Sequence, residues 1–169
     1  MNTPETLQGL LEAMASARRI YLLAENESTY VVSLVGHQFR LAGVQAVVIS
    51  GGRRERSLAL LGAGESDMAV ALAIDPAASA ELMATIRAVQ RRGVRTFAIV
   101  RSHSSAAART ADQALIAPQS AGEKGPLTQY AAAVALLNGV AQALALRRAE
   151  QVSAILKDLQ TWWDGLAES

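Results

Sequence analysis

Residues 68–100 read MAVALAIDPAASAELMATIRAVQRRGVRTFAIV, and this stretch decides the fold class. Met68 to Ile74 is an unbroken run of seven apolar side chains. Such a run marks a strand buried on both faces, since a half-exposed strand would alternate with polar residues. Asp75-Pro76 breaks the run, because proline has no N–H to give to a ladder. A helix is expected from Ser79 to Arg92, closed by Gly93, and Arg95 to Val100 is the next strand. Two buried strands separated by a helix imply a right-handed crossover and parallel pairing.

The same alternation extends in both directions. Upstream, Thr3-Pro4-Glu5 opens a helical pattern, with Leu7, Leu10, Leu11 and Met14 repeating at three and four. Ile20 to Ala24 is a short buried strand. Ser28 starts a helix that runs to Leu41 and is stopped by Ala42-Gly43. Val44 to Ile49 is a second strand ended by Gly51-Gly52, and a short helix reaches Leu61 after the charged stretch Arg53-Arg54-Glu55-Arg56. Downstream, Ser104 to Thr110 is a helical turn and Ala114 to Ala117 a fifth strand. A loop through Pro118, Gly122, Gly125 and Pro126 then precedes a long alanine-rich helix to Arg148, and an amphipathic helix runs from Glu150 to Trp163. The expected architecture is α/β, a three-layer α/β/α sandwich over a parallel sheet. In such sheets ligands sit outside the carboxyl ends of the strands, where strand order reverses. The candidate loops are therefore Glu25–Thr29, Ser50–Arg56, Asp75–Ser79 and Arg101–Ser105.

Composition supports one layered domain. The chain has 169 residues, 51% hydrophobic but only 4% aromatic, so small aliphatic side chains must build the interior. With 16 basic and 15 acidic residues the net charge is +1, which supplies no field for nucleic acid or an anionic membrane. There is no cysteine, which excludes disulfides, thiolate metal sites and cysteine nucleophiles. The N-terminus lacks the basic-then-apolar order of a signal peptide, and no apolar run approaches the roughly 18 residues of a membrane span. A cytoplasmic protein without membrane contact is expected. His37 and His103 have no metal-ligand spacing, and no P-loop or Rossmann glycine fingerprint is present, so neither metal nor cofactor is expected.

Several segments together resemble a SIS (sugar isomerase) domain, and most closely the ligand domains of RpiR-type transcriptional regulators. Ala17 to Leu22 leads into the first loop. Arg92 to Val100 is similar to the family's "RGA-strand-T" passage, Ser102 to Ser105 with Ala111-Asp112 to its "S-x-x-S…AD" stretch, and Leu127 to Val140 to its closing helix. The likeness spans Thr6 to Ala149. It implies a five-stranded parallel sheet in order 2-1-3-4-5, a dimer, and a sugar-phosphate ligand. The two motifs that hold a phosphosugar are eroded. Where the family has G-x-G-x-S, this chain has Ala24-Glu25-Asn26-Glu27-Ser28; where it has S-x-S-G-x-T, this chain has Ile74-Asp75-Pro76-Ala77-Ala78-Ser79. Pro76 removes an N–H that an anion needs, and Glu25, Glu27 and Asp75 bring like charge to it.

The candidate ligand-binding residues are Ser28, Thr29, Arg53, Ser79, Arg101, Ser102 and His103. Ser28 and Ser79 have two readings, as ligand contacts or as N-caps of their own helices, and capping is the stronger for each. Arg53, Arg54 and Arg56 read by default as a solvated loop, with at least one turned toward the cleft to replace lost anion-binding charge. His103, among Arg101, Ser102, Ser104 and Ser105, can donate to a sugar hydroxyl, act as a base, or lie in an exposed cap. His37 reads as structural or dimer-facing. Trp162 and Trp163 point about 100° apart on a helix, which suits one packing and one meeting a partner, or purely local packing.

The division expected is 1–149 as the SIS-like domain and 150–169 as a helix packing on it or on a dimer partner. The function expected is a ligand-sensing domain for a sugar or sugar-phosphate-like metabolite, without catalysis and without its own contact to nucleic acid. Its role would be the effector domain of an RpiR-type regulator, either excised from its helix-turn-helix module or free-standing. The competing reading is an aldose–ketose isomerase, which needs a base and firm phosphate anchoring.

Overall fold

The computed structural model describes residues 2–75, 79–117 and 126–167. The 76–78 part of the third rim loop, with Pro76, and the 118–125 loop lie outside these.

Twelve elements alternate through the described residues: α1 (Pro4–Ser16), β1 (Ile20–Leu23), α2 (Ser28–Leu41), β2 (Ala46–Ile49), α3 (Arg53–Ala59), β3 (Met68–Ala73), α4 (Ala80–Gln90), β4 (Arg95–Val100), α5 (Ala106–Thr110), β5 (Gln113–Ile116), α6 (Pro126–Arg147) and α7 (Ala149–Ala167). The five strands form one sheet in the order β2-β1-β3-β4-β5. Every pairing is parallel, with Leu23 opposite both Ile49 and Ala71 and Ala73 opposite Val100. The α/β/α sandwich in order 2-1-3-4-5 is as expected.

Period-two geometry explains why the strands are apolar throughout. Ile20, Leu22, Met68, Val70, Leu72, Phe97 and Ile99 face one layer and pack with Leu10 and Met14 of α1, Val35 and Phe39 of α2, and Leu137 and Leu144 of α6. The alternate residues Tyr21, Leu23, Ala69, Ala71, Ala73 and Ala98 face the other layer and meet Leu82, Ile86 and Val89 of α4. Alanine dominates that face of β3, which lets α4 sit close. On the opposite layer the close approach comes at Gly36 of α2. A Cβ there would stand 2.9 Å from Val48 and 3.2 Å from Leu22.

Local punctuation follows the expected chemistry. Thr3 caps α1 by accepting from the Thr6 amide at 3.2 Å, and Pro4 occupies the first helical position. Gly43 takes φ +74° to end α2, with the Val44 amide reaching back to the Phe39 carbonyl at 2.9 Å. The edge strand β5 is blunted by Asn2, which donates to the Ile116 carbonyl at 2.8 Å and accepts from the Ile116 amide at 2.6 Å.

The "RGA-strand-T" and "AD" passages turn out to be one structural clasp. Asp112 accepts from the Thr96 amide at 2.8 Å and the Thr96 hydroxyl at 2.9 Å, and its own amide donates to that hydroxyl at 3.0 Å. Gln90 bridges Thr96, the Thr110 carbonyl and Asp112. At the amino ends of the strands Asp67, with no exposed side-chain surface, accepts two bonds from Arg18 at 3.0 and 2.9 Å and one from the Gly64 amide.

Residues Thr128–Arg147 of α6 are long and apolar enough to cross a membrane by length and composition, although Asn138 and Gln142 keep each continuous apolar run short. In the fold, Ala133, Leu137, Val140, Ala141 and Leu144 of this helix are core residues.

Candidate functional site

The carboxyl ends of β1 and β3 are neighbours, and β1 is where strand order reverses, since β2 lies on its other side. A crevice there follows from topology alone. The loop after β1 and the start of α4 meet across it.

Glu25 is the hub. Its Oε1 accepts from the Ser79 hydroxyl at 2.7 Å and from Arg56 Nη1 at 3.0 Å, and its Oε2 accepts from the Ser79 amide at 3.2 Å. Glu25 and Arg56 are each about nine-tenths buried in this pair. Arg56 is oriented by a further bond from Nε to the Gly51 carbonyl at 2.9 Å. Burial opposes ionisation of Glu25, but the bonds from Ser79 and Arg56 outweigh it and hold the carboxyl below its ordinary range.

Beside it lies a second carboxylate. Asp75 Oδ2 accepts from the Ser28 hydroxyl at 2.8 Å, and its Oδ1 accepts from the Tyr130 hydroxyl of α6. Ser28 is fully buried. Burial and the bond to Asp75 push the Tyr130 phenol up to about 12. Two carboxylates thus stand at the carboxyl ends of β1 and β3, each engaged on both oxygens by hydroxyl, amide or guanidinium donors.

Asn26 sits at φ +50°, a left-handed conformation that asparagine tolerates better than most residues. It stands where the resembled motif has its second glycine.

The expected site residues divide. Ser28 and Ser79 come together through Asp75 and Glu25. Capping is not what Ser28 does: it is the first residue of α2, whose N-cap Glu27 makes no side-chain cap bond, and its hydroxyl is directed to Asp75. Ser79 does cap α4, accepting from the Glu81 and Leu82 amides at 3.1 and 3.2 Å, while its proton goes to Glu25. Thr29 is half-buried one residue into α2, and its carbonyl accepts from Ser33. Among the three arginines it is Arg56 that turns inward. Arg53, the residue singled out, is exposed and faces a groove between α3 and α4 that Glu81, Thr85, Arg91 and Arg92 also line. Arg56 lines the same groove from one turn further along α3, and it is Arg56 that reaches Glu25. Arg101 is half-buried at the end of β4. Ser102 bonds the Ser104 hydroxyl at 2.8 Å within its own turn, and Ser105 caps α5. His103 and His37 are both exposed.

Tyr130, Glu25 and Asp75 were missed as site residues. Reading these carboxylates as repulsive charge toward an anion ignores that each has its own donors. Tyr130 gave no signal, because its helix follows the sheet by a loop whose path the sequence does not specify.

Trp162 and Trp163 are 62% and 60% exposed, so neither packs locally. Both lie far along α7, beyond the half-buried Val152, Ile155 and Leu159. An open apolar groove of about 700 Å³ runs between α6 and α7, lined by Ala145, Leu146, Val152 and Leu156 among others. Among the described residues no group of three or more His, Cys, Asp or Glu side chains is placed to hold a metal.

No protein-family model matches the chain, and no curated protein is detectably similar in sequence. Solved structures are similar in fold. The sugar isomerase domain of an RpiR transcription factor from Sphaerobacter thermophilus superposes with a TM-score of 0.82 at 22% identity, covering 94% of this chain and 87% of that one. NanR of Vibrio vulnificus, solved with ManNAc-6P, gives 0.79 at 12% identity, covering 94% of this chain and 61% of that one. Phosphoheptose isomerase GmhA of Neisseria gonorrhoeae gives 0.68 at 14% identity, over 83% and 86% of the two chains. The fold of this chain is that of the SIS domain, shared by regulator domains and isomerases.

Proposed function

We propose that this domain binds a sugar or sugar-phosphate-like metabolite at the β1–β3 crevice and serves as the effector domain of an RpiR-type transcriptional regulator. The observation that carries this reading is the preformed constellation of Glu25, Ser79 and Arg56 beside Ser28, Asp75 and Tyr130, at the point where parallel sheets hold ligands. The likeness to the RpiR domain and to NanR with its ManNAc-6P supports a carbohydrate ligand. Binding is favoured over isomerisation because neither carboxylate of the crevice is left without donors of its own. Glu25 and Asp75 are both engaged as acceptors of internal bonds.

A thermal-shift screen against sugar phosphates, amino sugars and sugar acids tests the reading, since a ligand that binds only the folded state raises its stability by RT ln(1 + [L]/Kd). A hit whose shift disappears in the Ser28→Ala/His103→Ala double variant supports the crevice. An undiminished shift places the pocket elsewhere. The regulator role predicts that the same ligand changes DNA binding by the full gene product, and unchanged DNA binding removes that role.

A further inference from the structure

A helix N-terminus, a serine hydroxyl and an arginine converging on one point form an anion receptor. In this chain the receptor at the start of α4 is made of the Ser79 amide, the Ser79 hydroxyl and Arg56, and its anion is already present. The Ser79 amide, the Ser79 hydroxyl and one N–H of Arg56 all donate to Glu25, from the loop after β1. We infer that Glu25 is the specificity-determining residue of the crevice: its carboxylate fills the anion position, so the domain takes an unphosphorylated carbohydrate and rejects a phosphate ester. This rests on the crevice being the ligand site.

The charge arithmetic supports rejection. Arg56 is the cation given to this point, and Glu25 neutralises it. A phosphate that took these donors would have to displace Glu25, which would leave a second anion beside it with those donors removed. Asp75 holds a further negative charge in the same crevice, both of its oxygens occupied by Ser28 and Tyr130. Like charges brought together in a partly buried crevice are strongly unfavourable. A hydroxyl-rich ligand meets no such obstacle, because the carboxylate, serine and phenol oxygens that line the crevice can exchange hydrogen bonds with neutral hydroxyls.

The test compares wild type, Glu25→Ala and Glu25→Ala/Arg56→Ala by calorimetry and thermal shift. Each is titrated with inorganic phosphate against chloride at equal ionic strength, and with matched pairs of a sugar and its phosphate ester. Wild type should show no phosphate-dependent shift. Glu25→Ala should bind phosphate at least about tenfold more tightly than wild type, and the double variant should lose that gain. Any sugar that binds wild type should bind at least as tightly as its phosphate ester, and Glu25→Ala should reverse that order. Tight phosphate binding by wild type, or a wild-type preference for the ester, overturns the inference while leaving the crevice as the ligand site. A folded Glu25→Ala that gains no phosphate affinity also overturns it. Should Glu25→Ala fail to fold, the wild-type titrations and the isosteric Glu25→Gln decide in the same way. If Glu25→Ala gains phosphate but no sugar of either form binds wild type, the carboxylate block stands and the carbohydrate reading falls.

Discussion

Two ionised carboxylates, Asp67 and Glu25, each held by several donors, give this chain a specific response to acid. Burial raises the cost of charging Asp67, but the bonds from Arg18 and the Gly64 amide win, and its carboxyl lies below its ordinary range. Glu25 behaves likewise. A group whose pKa is lower in the folded state adds stability above its unfolded pKa and loses it as pH falls through the folded one. The stability supplied by both residues should therefore be complete above roughly pH 5 and decline below about pH 4. Urea unfolding at pH 6 and at pH 3 should show a smaller acid loss in Asp67→Asn than in wild type. An equal loss would mean that Asp67 carries no depressed pKa. At neutral pH Asp67→Ala should cost about 1–3 kcal/mol, because it strands the Gly64 amide and frees two arginine bonds. The Asp112 clasp belongs to the same class, and Asp112→Ala should lower the melting temperature without altering ligand binding, since it stitches β4 to β5 away from the crevice.

Among the elements, α2 and α4 illustrate how side-chain size sets layer spacing. The central strand β3 offers Ala69, Ala71 and Ala73 to α4, and α2 offers Gly36 to the strands beneath it. Gly36→Leu should destabilise the fold by about 1–3 kcal/mol, read as a lower urea midpoint, because several carbons must fit where a single Cβ already stands 2.9 Å from Val48. A neutral outcome would show that α2 can lift from the sheet at little cost. Helix α6 reaches further than packing alone requires, since Tyr130 ties its first turns to Asp75 at the end of β3. Tyr130→Phe should leave the fold intact and weaken ligand binding, since Asp75 loses a donor and turns a free oxygen into the crevice.

For the whole molecule, the unfinished surface is the α6–α7 side. The core takes one face of α6, while Leu146 is 81% exposed and Leu156, Trp162 and Trp163 of α7 stay open to solvent. The groove of about 700 Å³ between the helices joins Leu146 and Leu156 into one apolar surface with Ala145 and Val152. Surfaces of that kind are covered in service. We propose that a second copy of the chain covers it through a two-fold interface, whose symmetry presents the same patch from each side. Sedimentation equilibrium at micromolar concentration should give a dimer, and Leu146→Glu with Leu156→Glu should give a folded monomer. A wild-type monomer at that concentration contradicts the proposal.

Periodicity carried the fold. Runs such as Met68–Ile74 and Arg95–Val100, separated by one helix, admit little besides a parallel sheet, because backbone hydrogen bonding and chirality leave few alternatives. The rim loops were legible for the same reason, as the carboxyl ends of those strands. The identity of the site residues was not. Ser28 and Ser79 could be named from motif and capping chemistry, but their partners Asp75 and Glu25 lie 47 and 54 residues away. Whether a carboxylate repels a ligand or is neutralised by its own chain depends on which donors reach it, and that distance is set only in three dimensions. The choice between Arg53 and Arg56 turned on which of the two neighbouring guanidiniums reaches Glu25, and Tyr130 entered through the long return of α6. Local sequence dictates which residues form strands and helices, because those preferences act over a few bonds. The crevice is the sum of contacts between distant segments, and packing decided it.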